Sequence, residues 1–286
     1  MNARTKKSVR KALQLFCIVP MVLVVSSIAN AVVIRHDVPA TEYIVPDNDF
    51  PALVDLPQEG HGVLISSQWI VTAAHNTMWR DVTQVTINDE VRAVDRVIAH
   101  SGYRSLPTVP PTGDAAPFMA VMASSDDIAL IKLSEPVHDV TPVKMYSKTD
   151  EQGKLFKMYG KGATGTGLEG QDANSPRRGS LRRAYNYIAS ADGKWLAYSF
   201  DQGGKGHDLE GTSGSGDSGG PVLIEVDGEW TLAGLTAWQF VDGDISDFQP
   251  GHYGQINYQV RISHYAEWIA GVMAANGSVS PNPCDG

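Results

Sequence analysis

The sequence predicts an all-β protein. Short apolar runs rich in Val and Ile recur from Val32 onward, separated by Gly, Pro, Asn and Asp, which is how strands joined by tight connections read. The dipeptides Asn88-Asp89 and Asp227-Gly228 stand between such runs at hairpin spacing. One segment near the C-terminus instead repeats its apolar residues at helical spacing.

Taken in order, Gly62 to Ile65 and Trp69 to Ala73 read as strands around Ser66-Ser67-Gln68. Val82 to Ile87 and Val91 to Ile98 flank the first hairpin turn, and Ile128 to Leu133 is a further strand. Residues 100 to 126, proline-rich and aperiodic, read as a surface loop, and so does most of 160 to 216 with its glycines and the polar stretch Gln171 to Gly179. Strands resume at Val222 to Val226, Trp230 to Trp238 and Ile256 to Ile262. The closing helix has Ser263 as its expected cap, a stripe of Tyr265, Trp268, Ile269, Val272 and Met273, and Gly277 as its stop. A boundary between two β units is expected near residues 140 to 155, dividing the chain into 32–147 and 148–275 with a tail at 276–286.

The first 31 residues stand apart. Arg4, Lys6, Lys7, Arg10 and Lys11 precede an apolar run from Ala12 to Ile28, and Ala29-Asn30-Ala31 offers small residues at the spacing of a signal-peptidase site. Residues 1–31 are therefore expected to be a signal peptide sending the protein to the periplasm or the medium, with an uncleaved membrane anchor as the alternative. Without them the chain carries 18 Lys and Arg against 32 Asp and Glu, a formal charge of −14. Such a surface repels phosphate backbones and anionic bilayers, so neither nucleic acid nor, after signal cleavage, a membrane is expected as a partner. Of the two cysteines, Cys17 lies in the signal and Cys284 near the end, which leaves no internal disulfide and leaves Cys284 free or paired with another chain. His61, His100, His138, His207, His252 and His264 lack paired ligand spacing, and Asp242-Gly243-Asp244 with Asp247 is too irregular for a calcium loop. No metal and no cofactor is expected.

Acyl transfer by a serine needs an exposed hydroxyl, a base, a group that fixes the base, and donors for the oxyanion. Gly216-Asp217-Ser218-Gly219-Gly220-Pro221 supplies the first and the last: glycines around Ser218 allow a sharp turn and a close approach to the N–H groups of Gly216 and Ser218. Upstream, Trp69-Ile70-Val71-Thr72-Ala73-Ala74-His75 ends an apolar strand on a histidine preceded by small side chains. Asp126-Asp127-Ile128-Ala129-Leu130 sets a carboxylate at the mouth of another. Taken singly, each segment has an ordinary structural reading as well.

In this order the three segments resemble the catalytic signatures of the chymotrypsin-like (trypsin-domain) serine peptidases: a TAAH histidine, a DIAL aspartate and a GDSGGP serine. The resemblance extends over most of residues 32 to 275, taking in Gly160-Lys161-Gly162, the strand ending at Trp238 and the terminal helix. It implies two six-stranded antiparallel β-barrels with the active site in the cleft between them, plus a C-terminal helix. His75 and Asp127 would come from the first barrel and Ser218 from the second, to hydrolyse polypeptides through an acyl-enzyme. The same resemblance makes Asp126 the solvated neighbour of the acid. It also pairs Asp217 with the new ammonium of Val32, 43 residues before His75, so that export activates the enzyme.

The resemblance places the floor of the primary specificity pocket at Thr212 and its wall at Trp238 and Gln239. A neutral floor offers no partner to Arg or Lys, and Gln239 would narrow the entrance, so a small or medium uncharged residue is expected before the scissile bond. Ala237 stands where the family has a serine that supports the buried aspartate, with Thr236 as a candidate replacement. Two rival readings remain: a binding protein on a silent protease scaffold, and an α/β-hydrolase esterase using Ser218 with Asp247 and His252 or His264.

Overall fold

The computed structural model describes residues 32–78, 81–105, 112–203 and 206–277. The signal segment, Cys17 and Cys284 lie outside the described residues. Val32–Ile34 forms β1. The next six strands, β2 (Leu53–Asp55), β3 (His61–Ser66), β4 (Trp69–Thr72), β5 (Gln84–Ile87), β6 (Glu90–Ala99) and β7 (Ala129–Leu133), close a barrel in the order β2-β3-β4-β7-β6-β5. All its pairings are antiparallel, and it shuts where Val54 meets Ile87. Val63, Leu64, Ile70, Val71, Ile87, Leu130, Ile131 and Leu133 are fully buried in it. At about 1.5–3 kcal/mol for each such side chain, this apolar lining is what holds the barrel together.

The predicted hairpins form as expected. Asn88 and Asp89 have φ of 51° and 63°, and Asp227 and Gly228 have 51° and 81°, the paired positive values whose twist suits adjoining strands. Residues 100–126 differ from the expected loop. After a short turn, α1 (His75–Met78), the chain builds α2 over Ala116–Ser124. Pro117 sits in its first turn, where a missing N–H costs nothing, and Met119 and Met122 pack against the core. The helix is apolar with no polar face to mark a period, so it carries no sequence signature.

Between residues 155 and 261 run β8 (Leu155–Gly160), β9 (Thr164–Thr166), β10 (Gly170–Gln171), β11 (Arg182–Tyr187), β12 (Ser190–Asp192), β13 (Trp195–Ser199), β14 (Gly211–Thr212), β15 (Pro221–Val226), β16 (Glu229–Gln239) and β17 (Ile256–Arg261). The expected all-β architecture is present, but this half is open in its hydrogen bonding. One seven-stranded sheet, β11-β8-β15-β16-β17-β13-β12, makes a half-barrel, and a four-stranded sheet, β10-β9-β1-β14, lies beside it. The N-terminal β1 belongs to the smaller sheet, parallel to β9 and antiparallel to β14.

The chain closes with α3 (Ile262–Ala275). Tyr265 and Ile269 are buried, and Trp268, Val272 and Met273 pack on the barrel core, as the stripe predicts. The cap differs from expectation. Arg261 occupies that position, because the Ser263 hydroxyl donates instead to buried Glu151 at 2.6 Å, beside the Arg261–Glu151 ion pair at 2.7 Å. The helix ends at Asn276, ahead of Gly277, with backbone and side-chain N–H groups of Asn276 both donating to the Val272 carbonyl. Among the described residues no helix is long and apolar enough to cross a membrane.

Candidate active site

The pairing of β4 with β7 sets the first half of the site. Thr72 faces Ala129 in register, so His75, three residues beyond one, arrives beside Asp127, two residues before the other. Ala73 and Ala74, both fully buried, leave room for the imidazole. Asp127 holds the histidine with both oxygens: Oδ2 lies 2.7 Å from Nδ1, and Oδ1 accepts the His75 backbone N–H at 2.8 Å. Burial disfavours the imidazolium, but the charge and hydrogen bond of Asp127 outweigh it and raise the His75 pKa. With Nδ1 committed to the carboxylate, Nε2 is the nitrogen left for chemistry. The Thr236 side chain makes no hydrogen bond to Asp127, so it does not replace the absent serine hydroxyl.

Asp126 is not the solvated neighbour expected. Its Oδ1 accepts from Lys194 Nζ and from the Tyr265 hydroxyl, each at 2.8 Å, because β13 and α3 both reach the strand mouth. Lys194 Nζ also donates to Ser124 O at 2.8 Å and Trp195 Nε1 to Ala123 O at 2.9 Å, so the second half grips the segment between α2 and Asp127.

Ser218 lies in the turn between β14 and β15. Gly216 and Gly219 have φ of +96° and +74°, values that side chains resist. The carbonyls of the loop are tied to the first barrel: Ser218 O accepts from His61 N at 2.7 Å and Asn76 Nδ2 at 2.9 Å, and Gly216 O from Gly60 N at 3.2 Å. The N–H groups of Gly216 and Ser218 make no hydrogen bond to described residues, so both are free to donate. His75, Asn76, Gly60, Gly216 and Ser218 together line one cleft of about 250 Å³. His75 and Ser218 share this space without a direct hydrogen bond, a looseness common in sites without substrate. A second, more apolar cleft also reaches His75, lined by His75, Asp127, Met122, Trp195 and Trp238.

Behind Ser218, Asp217 is 1 % exposed. Its carboxylate accepts from Gly162 N at 2.7 Å and Gly214 N at 2.8 Å. The approach is so close that a Cβ on Gly160 or Gly162 would meet Oδ1 at 2.1 or 2.7 Å. Val32 is fully buried, with φ of 64°, and its carbonyl accepts from Thr164 Oγ1 at 3.2 Å. No hydrogen bond joins it to Asp217.

Thr212 is fully buried, 3.0 Å from the Tyr198 hydroxyl. A bulge at Ala237 shifts the β16–β17 register and turns the strand end, where Trp238 stacks on Tyr258 at 4.1 Å. Gln239 Nε2 donates across to Ser213 O at 3.3 Å and to Asn257 Oδ1 at 2.9 Å. The sequence reading missed Asn257 and the polar partners of Asp217. Buried side chains on irregular strands carry no periodic signal, although a histidine directly before the apolar run Gly62 to Ile65 was a visible oddity.

The rival esterase fails on this architecture, since strands do not alternate with helices, and Asp247, His252 and His264 line neither cleft beside Ser218 and His75. The chain matches the family model "Trypsin" over residues 43–269. It is 27 % identical to Trypsin II-P29 of Gallus gallus over 254 residues, covering 82 % of this chain and 88 % of that protein. Against the Tryptase of Mus musculus it is 25 % identical over 236 residues, 73 % of this chain and 76 % of the relative. Against Serine protease 1 of Rattus norvegicus the figures are 26 % over 255 residues, 82 % and 89 %. With the family model spanning most of its length on a matching fold, the chain belongs to the trypsin family and is a serine endopeptidase.

Proposed function

We propose that Ser218 is the nucleophile, His75 its general base and then acid, Asp127 the carboxylate that fixes the imidazole, and the N–H groups of Gly216 and Ser218 the oxyanion hole. Nε2 of His75 takes the Ser218 proton as Oγ attacks the scissile carbonyl, and the tetrahedral oxyanion is held by the two free N–H groups. The imidazolium then protonates the leaving amine, and water, activated by the same nitrogen, releases the acyl group from Ser218. The observation that carries this reading is the two-point grip of Asp127 on His75 beside a cleft shared with Ser218 and Gly216. A fluorophosphonate probe tests it: labelling of the parent, lost in His75→Ala, is expected, and an unlabelled parent would favour a silent binding protein.

Specificity follows from the wall of the pocket. Gln239, fixed by hydrogen bonds to Asn257 and to Ser213, the residue after Thr212, would narrow the pocket, which suits a small uncharged residue before the scissile bond. In a peptide library, Gln239→Gly is expected to raise kcat/KM for a bulky residue at that position about tenfold relative to alanine, the scale of a modest change in pocket volume. Residues 1–31 are read as the export signal, with secretion to the periplasm or the medium, and N-terminal sequencing of exported protein is expected to begin at Val32.

A further inference from the structure

The far end of β16 offers a short open edge. From Thr236 to Gln239 the strand pairs with β17 on one side, while its pairing with β15 stops at Leu235 and Pro221. Thr236 closes that side, with its N–H on the Gly220 carbonyl at 2.9 Å and its own carbonyl on the Gly219 N–H at 2.7 Å. Beyond it, Ala237 and Trp238 line the apolar cleft beside His75, about 200 Å³ in volume. Gln239 bounds the proposed pocket for the residue before the scissile bond, so the part of a substrate that precedes that bond runs along this edge. An extended chain laid there gains main-chain hydrogen bonds and turns alternate side chains into the cleft.

A few residues on, α2 ends the groove. The helix is fastened to the second half at both ends. Trp195 and Lys194 hold the carbonyls of Ala123 and Ser124 in its last turn. Ahead of its first turn, residues 113–115 form an antiparallel bridge with residues 243–245: Ala115 N donates to Gly243 O at 2.9 Å and Ile245 N to Gly113 O at 2.8 Å. Gly113 N adds a bond to Asp244 Oδ1 at 3.0 Å. Between these fastenings Met122 lines the cleft, and Met119, one turn earlier, accepts the Val241 N–H on its sulfur at 3.3 Å. What is a cleft between helix and strand at Trp238 is therefore direct contact at Val241. Ala237 to Val241 spans about 13 Å at roughly 3.3 Å per residue, room for about three substrate residues beyond the one in the pocket.

We propose that α2 and its bridge to residues 243–245 close the acyl side of the groove, so that the enzyme cuts bonds preceded by about four residues or fewer and trims short segments from the free N-termini of polypeptides. The proposal rests on the peptidase reading above. A longer chain has two ways in, to part the bridge and lose its hydrogen bonds or to leave the edge at Val241 and lose the contacts there, and either weakens transition-state binding. The cleft on the leaving-group side, with Glu59, Gly60 and Asn76, contains no residue of α2, so the helix sets no limit on the length of chain that follows the bond.

The test is a series of peptide amides that share one cleavage site and the sequence after it, with two, four, six or eight residues before it. In the parent, kcat/KM is expected to rise from two to four residues and to fall about tenfold or more from four to eight, the scale of losing the hydrogen bonds of the bridge. Asp244→Ala, which frees Gly113, and Met119→Ala, which takes the sulfur from Val241, are each expected to shrink that fall to about threefold or less. They loosen the same closure from opposite sides, so either carries the test if the other does not fold. The readout is a ratio between substrates of one protein, which a partial loss of folded enzyme does not move. A parent whose kcat/KM is level or still rising at eight residues overturns the proposal, and so does a preference for short segments that the folded variants keep. Fluorophosphonate labelling tells the failures apart: without labelling of the parent the peptidase reading falls and takes this proposal along, whereas a labelled parent indifferent to length removes this proposal alone.

Discussion

The two halves of the chain bury different chemistry. The first barrel closes around aliphatic side chains, and among its strands and loops the buried polar groups gather at the site: His61, Thr72, Ser125 and Asp127. The second half buries Arg182, Asn186, Glu210, Asp217, Asn257 and Gln259 to 4 % exposure or less, spread through sheets that do not close. The first half is therefore a scaffold with an apolar lining whose titrating groups, such as His75 raised by Asp127 and Asp55 held low by His61, Arg178 and Lys161, lie toward the site. The second ties its packing to hydrogen bonds and charge, and it is the half that shapes the Ser218 loop and the proposed specificity pocket.

Three substitutions set the halves against each other. The largest effect is expected where they meet: Asp127→Asn keeps the shape but upsets the His75 tautomer, and kcat/KM should fall about 10⁴-fold, the scale on which such triads fail when the acid is neutralised. Steady-state kinetics on a peptide amide checks this, and a loss under tenfold would deny Asp127 its role. Ile131→Ala, in the closed barrel, should cost about 2–5 kcal/mol in urea unfolding and leave kcat unchanged below the melting range. A matching loss of kcat would mean the scaffold and the site are not separable.

Glu210→Gln probes the other half. Burial pushes this carboxyl up to about 7 from the ordinary 4.5, and its Oε2 has no hydrogen-bond partner among the described residues. The folded state then binds more protons than the unfolded one between those values, so stability present at low pH is lost as pH rises through about 7. The variant should unfold with the parent at pH 5 and exceed it by about 1–3 kcal/mol at pH 8. A difference that stays flat across that range would remove the claim.

The same contrast explains what could be read from the chain. In the first barrel the runs from Gly62, Trp69, Val82, Val91 and Ile128 all became strands, because short Val-, Ile- and Leu-rich runs bounded by turn residues mark strands, several of them buried along most of their length. Strands β8, β11 and β13 went unseen, since β11 buries Arg182 and Asn186 where a reader looks for aliphatics, and glycine-rich neighbours disguise the rest. The helix α2 was hidden by Pro117, by the prolines before it and by its lack of a polar face. At the site, the histidine, aspartate and serine segments were legible because each carries a local demand: small residues before a ring, a carboxylate at a strand mouth, glycines at positive φ. His61, Asp55 and Asn257 were not, because the contacts that place them, with Asp217, with Lys161 and Arg178, and with Gln239, arise only when the strands pair and the loops pack.

The grip of Lys194 and Trp195 on Ser124, Ala123 and Asp126 has one more consequence. A crack opening between the halves would tug first on the peptide that carries the acid of the proposed triad, before either hydrophobic core was exposed. Heat inactivation should then begin as a misaligned imidazole in a molecule whose far-ultraviolet dichroism is still intact, and cooling from that point should restore turnover without any refolding lag.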